Sequence, residues 1–121
     1  MLTELGRYLR QLRGQSGELL KDMADRLSMS PAMLSSVENG SRNVPKDFAL
    51  KLAGVYCLDA SERDRLDLAI ARTREEVAVS LSGLSHADQR LAFSFARRFS
   101  ELDDDDKDSI RRILEKGGES R

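Results

Sequence analysis

The stretch SMSPAMLSSVENG, Ser28 to Gly40, concentrates small polar groups in a short space. Hydroxyls and a short amide at this density suit hydrogen bonding rather than bond cleavage. Ser36 can donate to or accept from a base edge, small side chains let a backbone come close, and apolar ones can meet thymine methyls. Ser30 and the N–H groups of a helix start suit a phosphate.

Other residues invite chemistry and are better read otherwise. Asp103 to Asp106 stand at a helix start, where acidic side chains meet the positive end of the macrodipole, so they read as capping rather than as a metal site. His86 is the single histidine and has no companions for a metal or a triad. Cys57 is the single cysteine, which excludes an internal disulfide, and reads as a small buried hydrophobe. No nucleophile elbow, phosphate loop or dinucleotide fingerprint occurs, so neither an enzyme nor a cofactor is expected.

The elements that must hold Ser28–Gly40 are short helices. Leu5, Tyr8, Leu9 and Leu12 recur at helical spacing after Thr3, with Gly17 as a stop. Leu19, Leu20, Met23, Ala24 and Leu27 predict a second helix, and Ser28-Met29-Ser30 a tight break. Pro31 to Asn39 is a third helix, with Ser30 as its cap, Pro31 at its first position and Gly40 as its left-handed end. Lys46 to Tyr56 is a fourth, with Phe48, Leu52 and Val55 on one face. A fifth is capped by Asp59 or Ser61 and carries Leu66, Leu68, Ala69, Ile70 and Val77. The second and third helices, their three-residue break and the small Ala24 at a steep crossing form a helix-turn-helix pattern, with Leu34 and Val37 anchoring the third helix.

On these residues the chain resembles the Xre family of helix-turn-helix regulators, which includes the lambda and 434 repressors and the Cro proteins. The likeness spans about residues 3–72, through LLKDMADRLSMSPAMLSSVENGSRNVP. It implies a five-helix domain that binds operators as a dimer, with the third helix in the major groove. It puts base reading on Pro31, Ala32, Met33 and Ser36, and backbone contacts on Ser30, Asn39, Arg42, Asn43 and Lys46. It also implies a structural ion pair between Arg13 and Glu38. Two positions depart from the family. Leu20 stands where a glutamine is common, and Ser28 replaces the glycine of the turn. The reading set lacks Arg, Gln and Asn, whose bidentate contacts are worth roughly 1–3 kcal/mol each. Modest specificity per half-site is expected.

The style changes after residue 76. Val77, Val79 and Leu81 alternate with small residues, which suits either a strand paired with a second chain or an irregular linker with apolar anchors. Ser85 caps a helix with Leu91, Phe95, Phe99 and Leu102 on a stripe, and the aspartate run opens a last helix with Ile110, Ile113 and Leu114 that Gly117-Gly118 ends. The expectation is an all-α fold: residues 1–76 a DNA-binding domain, residues 77–121 a helical hairpin for dimerisation or a protein partner. Val77, Val79, Leu81, Leu91, Phe95 and Phe99 are its dimerisation candidates.

Charge adds a weak pointer. Residues 1–54 hold eight Lys/Arg against six Asp/Glu, and residues 55–121 twelve against fifteen, so an anionic partner would meet the first half. No signal-peptide pattern or long apolar run occurs, and a cytoplasmic bacterial or phage-encoded protein is expected. The leading reading is a dimeric repressor on a palindromic double-stranded DNA operator, not at a membrane. The alternative is an antitoxin, or a protease-controlled repressor, whose C-terminal segment binds a toxin or protease.

Overall fold

In the computed structural model, which describes residues 1–119, seven α-helices and one 3-10 turn follow one another, with no strand among the described residues. The chain divides into two units, residues 1–77 and residues from Ala78 onward.

The first unit is five helices around one core. Helix α1, Glu4–Ser16, starts where the Thr3 hydroxyl accepts the Gly6 N–H at 3.1 Å. It ends where Gly17 turns left-handed at φ 68°, a conformation glycine adopts freely. Helix α2, Leu20–Arg26, has no hydroxyl to cap it; instead the Asp22 carboxylate reaches back to the Leu19 N–H at 2.9 Å. Helix α3, Pro31–Asn39, is capped by Ser30 and closed by Gly40 at φ 81°. Helix α4 is Phe48–Val55. Helix α5, Ala60–Arg74, opens on a reciprocal cap, with Asp59 Oδ1 on the Glu62 N–H at 2.8 Å and Glu62 Oε1 on the Asp59 N–H at 3.3 Å.

Leu5, Leu9, Met23, Ala24, Leu27, Leu34, Leu52 and Leu66 are fully out of water and pack with Val37 and Phe48. A large aliphatic side chain buried this way stabilises by about 1.5–3 kcal/mol. Polar ties lock the helices in register. The Leu5 N–H donates to Thr73 Oγ1 at 3.1 Å, so the end of α5 holds the start of α1. Arg74 Nη2 donates to the Val44 carbonyl at 3.0 Å. Arg26 donates to Glu18 and to the Val55 carbonyl, and its guanidinium lies 4.3 Å from the centre of the Tyr56 ring.

Several expectations give way here. Helix α4 begins at Phe48 rather than Lys46, because Lys46 and Asp47 form a turn after Pro45. Cys57 is exposed, not buried: α4 stops at Val55, and Cys57 takes a left-handed φ of 52° in the turn beyond it. Leu68 and Val77 are exposed too; Leu68 lies off the α5 face that buries Leu66, Ala69 and Ile70, and Val77 lies past the helix end. Of the two readings of residues 77–81, the irregular linker is the one seen: the segment forms no strand, and the described residues offer it no second strand to pair with.

The second unit holds helix α6, His86–Arg98, a 3-10 turn over Phe99–Glu101, and helix α7, Asp104–Glu119. Both helices are capped, by the Ser85 hydroxyl on the Asp88 N–H at 3.1 Å and by Asp103 Oδ1 on the Asp106 N–H at 2.8 Å. Helix α7 runs through Gly117-Gly118, the pair expected to end it. The unit was expected to be a helical hairpin that offers its apolar stripe to a second copy or a protein partner. Among its described residues none is buried, and Leu91, Phe93, Phe95, Phe99, Ile113 and Leu114 face solvent.

Candidate nucleic-acid interface

Helix α3 is amphipathic on a small scale. Leu34 and Val37 are fully buried and Glu38 nearly so, which fixes its inner face to the core. By helical spacing Ala32 and Ser36 lie on the opposite face and Met33 on its flank, with Ala32 exposed and Met33 and Ser36 half-buried. Ser30, Pro31 and Asn39 are exposed at its two ends.

The start of α3 has a defined donor inventory. Pro31 has no N–H. The Met33 N–H is taken by Ser30 Oγ at 3.1 Å and the Leu34 N–H by the Ser30 carbonyl at 3.1 Å. Ala32 therefore carries the one first-turn N–H left for an outside acceptor among the described residues. The expected cluster of free N–H groups narrows to that single donor.

The far end of α3 positions the expected backbone-contact residues. The Ser36 carbonyl accepts from the Ser41 N–H at 3.0 Å, the Arg42 N–H at 3.2 Å and the Ser41 hydroxyl at 3.3 Å. This folds the chain back after Gly40 and holds the Arg42 backbone within one turn of the helix end. Arg42, Asn43 and Lys46 are exposed, and none has a side-chain partner among the described residues. Cations left unpaired in water are available to phosphates.

Helix α3 is braced against α1 by its carboxyl end. Arg13 Nη1 and Nη2 donate to Glu38 Oε2 and Oε1 at 2.5 and 3.2 Å, and Nη1 also lies 3.3 Å from Met23 Sδ on α2. The Glu38 carbonyl accepts from the Thr3 N–H at 3.1 Å and the Thr3 hydroxyl at 3.0 Å. A Cβ on Gly6 would stand 2.4 Å from that carbonyl oxygen, so only glycine lets α1 come this close.

The turn before α3 carries Ser28 at φ 56°, the left-handed conformation that glycine would take without strain. Leu20, at the start of α2, is half-buried and offers no polar group. Two cations escape a reading based on α3 alone. Lys21, beside Leu20 on the first turn of α2, is exposed and unpaired among the described residues. Lys51 on α4 borders a shallow depression shared with Ser28, Met29 and Met33, which brings it beside the start of α3. The charge and helical position of Lys21 were the available signal for it. The placement of Lys51 is purely tertiary.

Among the described residues, no group of three or more His, Cys, Asp or Glu side chains is placed to hold a metal ion. No helix there is long and apolar enough to cross a membrane. Among known families, the one described as the helix-turn-helix domain matches residues 4–66. No curated protein and no solved structure matches the chain.

Proposed function

Because the chain belongs to the helix-turn-helix domain family, a DNA-binding and regulatory fold, we propose that it is a sequence-specific transcriptional repressor of the Xre type. It acts as a dimer on a palindromic operator and blocks polymerase sterically. The observation that carries this reading is the division of α3, whose inner face is buried as Leu34, Val37 and Glu38 while Ala32 and Ser36 lie on the face away from the core and Met33 on its flank. A helix held in this way can enter a major groove without disturbing the core that holds it.

In this reading Pro31, Ala32, Met33 and Ser36 meet base edges. Ser30, the Ala32 N–H, Asn39, Arg42, Asn43 and Lys46 meet the sugar–phosphate backbone. Half-sites lie about 34 Å apart, one helical turn. Residues 77–121 join the two copies.

The test is a titration against a labelled fragment of the gene's own upstream region at two salt concentrations, alongside an Ala32→Arg/Ser36→Ala variant. The expected result is tight, salt-dependent binding by the natural chain and only weak nonspecific binding by the variant. Arg42→Ala should lower the slope of log affinity against log salt by about 1. Binding no tighter than to random DNA would overturn the reading.

The uncovered apolar face of α6 and α7 favours one second reading, an antitoxin or protease-controlled repressor whose C-terminal unit seats another protein. Co-purification with the product of an adjacent short reading frame would distinguish it.

A further inference from the structure

Among the described residues, ten of the 14 exposed large hydrophobics lie between Val77 and Leu114. Well-capped amphipathic helices with no core of their own must borrow one. The order of residues on α6 says from what. Asp88, Leu91, Phe95 and Arg98 follow at steps of three, four and three, which puts all four on one face. Leu91 is 68% and Phe95 45% exposed. Neither Asp88 nor Arg98 has a side-chain partner among the described residues.

This series is symmetric about residue 93. Turned end for end, it places an acid where there was a base and a leucine where there was a phenylalanine. We propose that α6 docks antiparallel on α6 of a second copy of this chain, about a twofold axis at the level of Phe93. Leu91 meets Phe95 of the second copy, and Asp88 meets its Arg98, each contact occurring twice as in an isologous interface.

A parallel pairing would set Asp88 against Asp88 and Arg98 against Arg98, so the charges select the antiparallel one. Phe99, Ile113 and Leu114, exposed on the same unit, supply further apolar area toward the about 800 Å² per partner of a standard interface. This rests on the reading of residues 77–121 as the dimerisation segment and replaces strand pairing with a helical seam. It does not depend on what α3 binds.

Sedimentation equilibrium of the full chain tests the seam without DNA. The natural chain is expected to be a dimer at micromolar concentration. Asp88→Arg and Arg98→Asp each set like charges together twice and should raise the dimer Kd by at least about tenfold. Mixing the two variants should restore a dimer, because each chain then carries only one sign and meets the other. That rescue cannot come from chains that fail to fold, and circular dichroism of each variant checks α6 directly. A natural dimer whose single variants stay equally dimeric, or whose mixture stays monomeric, overturns the seam alone. A natural chain that is monomeric overturns both the seam and the dimeric reading, while the titration of α3 against DNA stands apart.

Discussion

Arg13 on α1 and Glu38 on α3 meet through two hydrogen bonds at 2.5 and 3.2 Å, with both side chains at least nine-tenths out of water. Their pairing fixes the rotation of α3 about its own axis, because Glu38 follows directly on the buried Val37. Removing one partner leaves the other charge buried and alone. Arg13→Met should therefore destabilise the chain by about 3–5 kcal/mol, while Arg13→Met with Glu38→Leu should recover most of that loss. Urea denaturation of the full-length variants measures both. A single variant within about 1 kcal/mol of the natural chain would mean the pair has little hold on α3.

Gly6 and Gly14 both lie inside α1, and the structure separates them sharply. A Cβ at position 6 would strike the Glu38 carbonyl, whereas nothing lies within 4 Å of one at position 14. Gly6→Ala should cost about 1–3 kcal/mol by forcing the helices apart. Gly14→Ala should stabilise by about 0.5–1 kcal/mol through helix propensity. Equal midpoints in thermal unfolding would contradict the close approach.

Ser28 takes a left-handed φ in the turn between α2 and α3. Glycine adopts that conformation without strain but gives up more freedom on folding. The balance predicts a gain of about 0.5–1 kcal/mol for Ser28→Gly, with DNA affinity unchanged. Loss of stability would show that the serine hydroxyl matters more than the backbone.

Stability at high pH should depend on Tyr56. Its hydroxyl is shut off from water beside the Glu18 carboxylate, and burial first, then that carboxylate, pushes its pKa up to about 12. An unfolded tyrosine ionises near 10. Between those values the unfolded chain has released a proton that the folded chain keeps. The stability from this group is thus complete below about pH 10 and disappears as pH rises through about 12. Chemical denaturation across that range should show the decline in the natural chain and a shallower one in Tyr56→Phe. Glu18 works in the opposite direction. Burial would raise its pKa, but hydrogen bonds from Ser16 and Arg26 outweigh it and hold the carboxyl below its ordinary value. Its contribution is present above the unfolded carboxylate pKa and lost as pH falls through the folded one.

What was readable in the sequence was local. Ser30-Pro31 and Gly40 mark the ends of α3 because capping and left-handed closure depend on neighbours in the chain. Leu34 and Val37 are legible as inward because a short helix has few ways to bury an apolar edge. The outward residues of α3 follow from the same geometry. Contacts that join distant segments left no such trace. Nothing near Gly6 announces that a carbonyl 32 residues later will lie against it, nor does Thr73 signal that it will hold the start of α1. Alternation at Val77, Val79 and Leu81 suits a strand or an irregular linker alike, and the linker is what forms where the described residues offer a strand no partner. Cys57 is exposed because the apolar periodicity that runs toward it ends two residues earlier, at Val55.

The residues of α3 that hold the fold and those that look outward are different sets. Leu34, Val37 and Glu38 carry the packing and the ion pair, while Ala32 is exposed and Met33 and Ser36 are half-buried at the margin of that packing. Substitution at Ala32 is therefore nearly free of penalty to the scaffold, and at Met33 and Ser36 it costs less than at the buried positions. Descendants of this gene can exchange one set of outward side chains for another in single steps, each still a folded protein. The architecture separates persistence from novelty, and a lineage can diversify what the helix touches without rebuilding what supports it.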